Sequence, residues 1–186
     1  MSTAPKLPKP DLQTPDLLTH DPGDLLRGLA PVVGPATRLL LLGSFPSVAS
    51  LAAQQYYAHP RNQFWPILSV LWGLDLRALP YAQRLAVARD KGLGIWDVYA
   101  RVRRPGSLDS AITAAELNPL AALAATLPLL AAIAHNGGES ARTQRITQAL
   151  GLPVYRLPST SPAHASWSFE RKRAAWEQVL AAHGIA

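Results

Sequence analysis

The stretch LLLLGSFPS, residues 39–47, joins four leucines to a turn of small residues. A short apolar run that ends at such a turn is typical of a strand buried on both faces of a parallel sheet. The same order, an apolar run and then a polar loop, recurs at Leu93–Val98, Leu129–Ala134 and Val154–Leu157. We therefore predict four strands.

Helical stretches separate these strands. Periodicity and composition predict helices at about residues 63–72, 81–91, 117–126, 139–150 and 169–183, and a short helix in the segment DLLRGLAPVV, residues 24–33. Strands that alternate with helices favour parallel pairing through right-handed crossovers. The sequence thus predicts an α/β fold, a three-layer α/β/α sandwich around a central, mainly parallel four-stranded sheet.

The beginning of the chain differs from the rest. Residues 1–20 contain four of the 17 prolines and no sustained apolar period, which is typical of an extended arm. The chain as a whole has 186 residues, of which 48% are hydrophobic and 16% charged, and this excludes a disordered tail protein. We expect a flexible Pro-rich arm over residues 1–22 and a single domain over residues 23–186.

The charge of the protein favours a polyanionic partner. The net charge is +6, and residues 31–186 alone carry 15 Lys and Arg against 8 Asp and Glu. Fourteen of the 18 cations are Arg, whose planar fork suits phosphates and base edges. A GC-rich genome, which raises Arg, Ala and Pro together, is an alternative cause of the Arg content.

Several kinds of chemistry are excluded by residues that the sequence lacks. Without cysteine there is no disulfide, no Cys-ligated zinc and no iron–sulfur cluster. Neither an H-E-x-x-H spacing nor a carboxylate cluster indicates a metal, so we expect no metal and no cofactor. No apolar run approaches the roughly 18 to 20 residues of a membrane span. We expect a soluble, cytoplasmic protein with no membrane partner.

The loops that follow the four strands are the candidate site. They read GSFPSVAS, DVYARVRRPGSLDS, HNGGES and PSTSPAHASW, and all are rich in Gly, Pro, Ser and polar residues. In an open parallel sheet the ligand binds beyond the carboxyl ends of the strands. The fold therefore predicts one composite site at that edge.

A second cluster, QQYYAHPRNQFW, occupies residues 54–65 before a predicted helix. A buried aromatic cluster accounts for Trp65 and Tyr57 without any function. It does not account for the neighbouring His59, Arg61 and Asn62, because unpaired polar groups are costly to bury.

Four ordered motifs resemble the uracil-DNA glycosylase superfamily, and within it the hypoxanthine-DNA (deoxyinosine) glycosylase branch. They are GSFPSVASLAAQQYYAHPRNQFW, GIWDVYARVRRPGSLDSAI, HNG at residues 135–137 and LPSTSPAHASWSF, and the match runs from about residue 38 to 183. The resemblance implies a monomeric, monofunctional glycosylase of base excision repair. Such an enzyme flips a deaminated base, here hypoxanthine first, out of duplex DNA and hydrolyses its N-glycosidic bond.

The resemblance also implies binding residues. Phe64, or as an alternative Phe45, stacks on the flipped base, and Asn136 reads the base edge. Ser44 and His59 complete the expected base pocket. The loop 158–167 pinches the strand and enters the minor groove. The expected DNA-binding residues are Arg61, Ser159, Ser161, Pro162, Arg171, Lys172 and Arg173, and we expect Arg101, Arg103 and Arg104 to extend this basic rim.

The sequence alone does not identify the residue that positions the attacking water. Many relatives carry G-x-[DN]-P in the first motif, but this chain has Phe45 there, and a phenyl ring cannot orient water. Asn62 is the main candidate, since its amide carbonyl could hold a water in line with C1′. The alternative role of Asn62 is to cap the following helix.

Asp97 and His164 are further catalytic candidates. Asp97 could act as an alternative base or orient His59, or it could simply accept backbone N–H bonds in its loop. His164 could stabilise the leaving base or face the DNA. Asp109 is expected to cap the next helix. No Lys lies where a Schiff base to C1′ would form, so strand cleavage is not expected.

Other functions stay open from sequence alone. Within the same class, the substrate could be uracil, including uracil in a mismatch with guanine. A non-catalytic DNA-binding protein on the same fold is compatible with Phe45 in the first motif. A hydrolase for a small phosphorylated molecule would fit the loop geometry, but the sequence has no nucleophile elbow, P-loop or metal site.

Overall fold

The four predicted strands form one parallel sheet in a computed structural model that describes residues 25–186. The arm predicted over residues 1–22 lies outside the described residues. The strands are β1 (Leu26–Arg27), β2 (Leu39–Gly43), β3 (Leu93–Asp97), β4 (Tyr99–Arg103), β5 (Ala114–Leu117), β6 (Ala132–Asn136) and β7 (Val154–Leu157). The α-helices are α1 (Val48–Ala53), α2 (Phe64–Trp72), α3 (Tyr81–Asp90), α4 (Leu120–Ala125), α5 (Gly138–Ala141), α6 (Gln144–Gln148) and α7 (Phe169–Ala182), and 3₁₀ turns lie at Leu76–Ala78 and Asp109–Ala111.

The parallel sheet has the strand order β3-β2-β6-β7. In β2, Leu39–Leu42 are all fully buried, because helices cover the sheet on both sides. The register sets Gly43 opposite Asp97 and Leu42 opposite His135. The chain therefore has the predicted three-layer α/β/α sandwich, and the ends of the strands are aligned at one edge.

Two helices close the core on one side. Helix α2 packs on α7, and α7 packs in turn on β7. Phe64 and Ile67 of α2 and Trp176 and Leu180 of α7 are fully buried. These contacts fix the start of α2, and with it the polar stretch that precedes this helix, relative to the sheet.

The short helix predicted over residues 24–33 is wrong. Leu26–Arg27 form the strand β1, and Val32 makes a backbone bridge to Ile95. The backbone N–H of Gly28 donates to the Ala100 carbonyl at 2.8 Å. With both Gly28 and Pro31 in the segment, helix propensity is too low to compete with these strand pairings.

A second, antiparallel sheet with the order β1-β4-β5 was not predicted. Strand β4 lies where a loop was expected, and β5 precedes the helix predicted over 117–126 and includes its first residue, Leu117. Helix α4 begins only at Leu120, after Pro119. The β4–β5 hairpin turns the segment 104–109 back towards the end of β2.

Two further boundaries differ from prediction. Strand β6 covers Ala132–Asn136 instead of residues 129–134, and Leu129 is 57% exposed. Residues 139–150 form two short helices, α5 and α6, in place of one. The later start of β6 places Asn136 on the strand itself.

Candidate active site

A cleft opens at the carboxyl ends of the four parallel strands. Its lining comes from all four loops that follow the strands, as the topology predicted, and also from the stretch 54–65. We call it the strand-end cleft. The lining includes the side chains of Ser44, Phe45, Tyr57, Asn62, Asp97, Asp109 and Asn136.

Asp97, at the end of β3, is buried within the cleft lining with 4% of its surface exposed. A Cβ at Gly43 on the neighbouring strand would overlap Asp97 Oδ1, so the carboxyl group depends on that glycine for its place. Oδ2 is buried and has no hydrogen-bond partner. The alternative in which it accepts loop N–H bonds is wrong for this atom, because the N–H groups of Val98 and Tyr99 donate to the carbonyls of Gly43 and Ser44.

Burial, and after it the negative charge of Asp109, raise the pKa of Asp97 to about 8 against the opposing effect of Arg104. A charged carboxylate is disfavoured in such a place, because nothing replaces the water it has lost. At neutral pH, Asp97 is therefore mostly a neutral carboxylic acid with a proton to donate.

Of the two phenylalanines proposed for base stacking, Phe45 lines the cleft and Phe64 does not. Phe64 is fully buried and does not line the cleft, because it stacks on Tyr57 with ring centroids 3.9 Å apart and packs edge-on against Trp176. Phe45 lines the cleft, and the guanidinium of Arg104 lies 5.2 Å from its ring centroid. The position of Phe64 in the core contradicts its assignment to base stacking, and the alternative Phe45, although largely buried, lines the cleft.

Asn136, at the end of β6, fastens the loop 158–167 to the cleft. Its Oδ1 accepts from the Thr160 N–H at 3.0 Å, and its Nδ2 donates to Thr160 Oγ1 at 3.0 Å and to the Tyr57 hydroxyl at 3.3 Å. Both amide protons are thus engaged by the protein. One lone pair of Oδ1 is left for a ligand.

Asn62 lines the cleft and also stabilises the start of α2. Its Oδ1 accepts from the Phe64 N–H at 2.9 Å, which satisfies one of the free donors at the helix N-terminus. An amide oxygen has a second lone pair, so this bond leaves room for a water. The N-cap residue of α2 is Gln63, which makes no side-chain cap bond, so Asn62 is not the cap itself and binds the first helical N–H from one residue earlier. This bond holds the amide at a defined place in the cleft.

Ser44, Arg104 and Asp109 form a cluster that sequence reasoning missed. The Ser44 hydroxyl contacts both Asp109 carboxylate oxygens, at 2.9 and 2.8 Å, and Arg104 Nη1 lies 3.4 Å from Asp109 Oδ1. Burial raises the pKa of Asp109. Asp109 therefore stabilises the wall of the cleft, and the expectation that it caps the next helix is wrong.

The prediction that Arg104 belongs to the DNA-facing basic rim is also wrong. Arg104 is 4% exposed, and its Nη2 donates to the Pro46 carbonyl at 2.6 Å, so it is no part of a DNA-facing rim. The position of the cluster follows from the β4–β5 hairpin, and no local pattern in RRPGSLD indicates it.

His59 and His164 do not line the cleft. His59 accepts from the Arg61 N–H through Nδ1 at 3.1 Å, and the expected pairing with Asp97 is not formed. His164 lines a separate cavity with Arg156 and Trp167. Its Nδ1 is buried without a partner, and burial lowers its pKa.

The cations behind the loop 158–167 have different roles. Lys172 is 2% exposed and its Nζ donates to the His164 carbonyl at 2.7 Å, so its assignment to DNA phosphates is wrong. Arg173 pairs with Glu177 at 2.6 Å. Arg171 is exposed, with its guanidinium 3.8 Å from the centroid of the Trp167 ring. Of the three, Arg171 is the best placed to reach a phosphate.

In the part of the chain that the structure describes, no three His, Cys, Asp or Glu residues lie close enough together to hold a metal ion. Over the same residues, no helix is both long and apolar enough to cross a membrane.

Comparisons with known proteins agree on one group. The family model of the uracil DNA glycosylase superfamily matches residues 30–180. Two proteins named hypoxanthine DNA glycosylase, from Methanosarcina barkeri and Methanosarcina acetivorans, are 33% and 34% identical over 154 residues, which cover 83% of this chain and 97% of each relative. A solution NMR structure from Methanosarcina acetivorans, described as a uracil DNA glycosylase, superposes with a TM-score of 0.77 at 33% identity and covers 84% of this chain and 97% of that one.

Proposed function

The chain belongs to the uracil DNA glycosylase superfamily, and from that premise we propose that it is a monofunctional DNA glycosylase that releases hypoxanthine from deoxyinosine in DNA. It acts in the repair of deaminated bases. We propose that residues 25–186 include one catalytic domain that works as a monomer, since the family match spans nearly all of them.

One observation carries the proposal. The strand-end cleft brings a phenyl ring, two carboxamides and a buried carboxyl group together, from Phe45, Asn62, Asn136 and Asp97. An enzyme that works on a flipped base needs a stacking surface, polar groups at the base edge and a means to place a water at C1′. These residue types supply all three requirements in one place.

In the proposed mechanism, Phe45 stacks on the flipped base and the free lone pair of Asn136 Oδ1 accepts from the base edge. Asn62 holds the water. Because its amide oxygen is already fixed by the Phe64 N–H, the water sits at a defined distance from α2 and needs little further ordering before attack. A neutral amide is a weak base, so Asn62 contributes by positioning, and the oxocarbenium-like sugar makes the attack easy.

The DNA-facing surface lies beside this cleft. We assign phosphate contacts to the exposed Arg61 and Arg171, and the minor-groove side to the loop that carries Ser159, Ser161 and Pro162. The same loop is hydrogen-bonded to Asn136 through Thr160, so a movement of the loop on DNA binding would also move the Asn136 side chain in the base pocket.

The enzyme leaves an abasic site in an uncut strand. Neither Lys91 nor Lys172, the two lysines within residues 25–186, lines the cleft. A Schiff base to C1′, which a lyase reaction requires, has no amine here to form it.

The test compares cleft variants under single-turnover conditions on a duplex that contains deoxyinosine. Asn62→Ala should slow hypoxanthine release by roughly 100-fold while DNA binding persists, because the water loses its place. The exposed Gln178→Ala on α7 is the control and should match the unaltered protein. If the unaltered protein releases no base from deoxyinosine, deoxyuridine or deoxyxanthosine, the proposal is overturned.

A further inference from the structure

Asp97 is a buried acid to which the mechanism proposed above gives no role. Within residues 25–186, four buried side-chain N or O atoms have no hydrogen-bond partner, and Oδ2 of Asp97 is the one whose residue lines the strand-end cleft. A buried polar atom without a partner costs stability unless something else binds it. The carboxyl group is thus placed to meet a ligand that the folded chain does not itself provide.

The groups around Asp97 do not neutralise it as an anion. Arg104, the one cation that influences it, is engaged by Asp109, by the Pro46 carbonyl and by the Gly106 carbonyl. Asp109 adds a negative charge from the β4–β5 hairpin.

Two tyrosine hydroxyls lie nearby, and of these the Tyr56 proton is committed to other acceptors. Tyr56 donates to the carbonyls of Leu29 and Ala30, and the Tyr57 hydroxyl accepts from Asn136. The Tyr57 hydroxyl lies 3.6 Å from the point where a Cβ at Gly43 would lie, which places it close to the same carboxyl group. With no free countercharge, the carboxyl group keeps its proton and is an O–H donor, as in other buried acids kept neutral at pH 7.

The substrate offers an acceptor that fits this donor. A 6-oxopurine such as hypoxanthine carries N7 and O6 as acceptors on its major-groove edge, and flipping the base brings this edge into the cleft. Negative charge builds up on the base as the bond to C1′ breaks, and a donor at the imidazole ring stabilises it.

We propose that Asp97 is the general acid of the reaction, which donates its proton to N7 of hypoxanthine as the base departs. This rests on the proposed function. The C1′–N9 bond breaks and its electron pair stays on the purine, while the O–H bond of Asp97 breaks and an N7–H bond forms. Water bonds to C1′ and releases a proton, which returns to the Asp97 carboxylate through solvent, so the products are neutral hypoxanthine and an abasic sugar.

With this role for Asp97, a preference for hypoxanthine over uracil would not depend on pocket size alone. Uracil has no N7, and protonation at that atom gives it no help. The role also differs from that of a general base, which was the other reading of Asp97. A base must be ionised and works better as the pH rises, whereas an acid must be protonated and works worse.

The first test is the pH dependence of single-turnover hypoxanthine release by the unaltered protein between pH 6 and 9.5. The rate should fall tenfold per pH unit above about pH 8. Asp97→Asn, which has nearly the same shape, should release hypoxanthine 100- to 10,000-fold more slowly and lose that alkaline decline. A rate that rises through pH 8, or an Asp97→Asn variant as fast as the unaltered protein, would overturn the proposal.

The second test measures binding, and it identifies the atom. Two duplexes carry uncleavable 2′-fluoro-deoxyinosine, one of them with N7 replaced by C–H. At pH 6.5 the unaltered protein should prefer the N7 duplex about three- to tenfold, and Asp97→Ala should bind both equally. Equal affinities of the unaltered protein would refute the N7 contact.

Controls keep these outcomes apart. Gln178→Ala should keep both the pH profile and the N7 preference. Thermal unfolding checks that Asp97→Asn is folded, and if it is not, the pH profile of the unaltered protein decides alone. A protein that releases hypoxanthine with no alkaline decline contradicts the role of Asp97 and leaves the proposed function standing, whereas failure to release any base contradicts the proposed function itself.

Discussion

Gly43→Ala is the substitution for which the structure makes the sharpest prediction. Gly43 ends β2, the strand between β3 and β6, and its register partner is Asp97. The new Cβ would overlap Asp97 Oδ1 and would lie 3.6 Å from both Asp97 Cγ and the Tyr57 hydroxyl. Because β2 is held on both sides, the strand cannot move away, and the carboxyl group must rotate instead.

Two effects should follow. Overpacking at a buried site costs about 1 to 3 kcal/mol of unfolding free energy, and urea denaturation measures it. The displaced Asp97 carboxyl group should slow hypoxanthine release from a deoxyinosine duplex by roughly 100-fold. Both losses come from one methyl group, which itself has no chemistry.

Gly34→Ala is the matched control. A Cβ there would meet only the Arg89 side chain, at 3.8 Å, which is an ordinary contact. This variant should keep the unaltered rate, and its stability should not fall. If Gly43→Ala is as fast and as stable as Gly34→Ala, the carboxyl group does not occupy the place described and the reasoning fails.

Three further predictions concern the surroundings of the cleft. Lys172→Ala removes the buried bond to the His164 carbonyl and should lower the unfolding free energy by roughly 1.5 to 3 kcal/mol in urea, whereas an unchanged value would mean that the lysine is not buried. Burial lowers the pKa of His135 to about 4, below its usual value near 6.5, so the folded state resists its protonation. Stability should therefore decline by at most about 3 kcal/mol as the pH falls from 6.5 to 4; a His135→Gln variant should lose that slope, and an equal slope in both proteins would contradict the assignment. Arg171→Ala should weaken duplex binding and reduce the salt slope by about 1, read from binding between 50 and 200 mM salt, while an unchanged slope would exclude a phosphate contact by this residue above Trp167.

The parallel sheet could be predicted because its strands are continuously apolar. Leu39–Leu42 are buried on both faces, and such a run has few other uses in a globular chain. The gathering of the strand-end loops followed from the topology alone. The alternating strand β4, with only Val102 buried, has a much weaker signal and was taken for a loop.

The parts of the site that escaped prediction depend on that missed hairpin. The contact of Asp109 with Ser44 joins residues 65 positions apart, and it exists only because β4 and β5 turn the chain back. The choice between Phe45 and Phe64 depended on which ring packs in the core, and Phe64 packs there against Tyr57 and Trp176. Lys172 shows the same limit, because its neighbours Arg171 and Arg173 are exposed and half-buried arginines, whereas its own position on α7 faces inward.

The most direct test of the central claim is base release by the unaltered protein from a duplex with a single deoxyinosine. For a monofunctional glycosylase we predict free hypoxanthine in an amount equal to the abasic sites formed, with the strand intact until alkali cleaves it. Release of no hypoxanthine, or a strand cut by the protein itself, would contradict it.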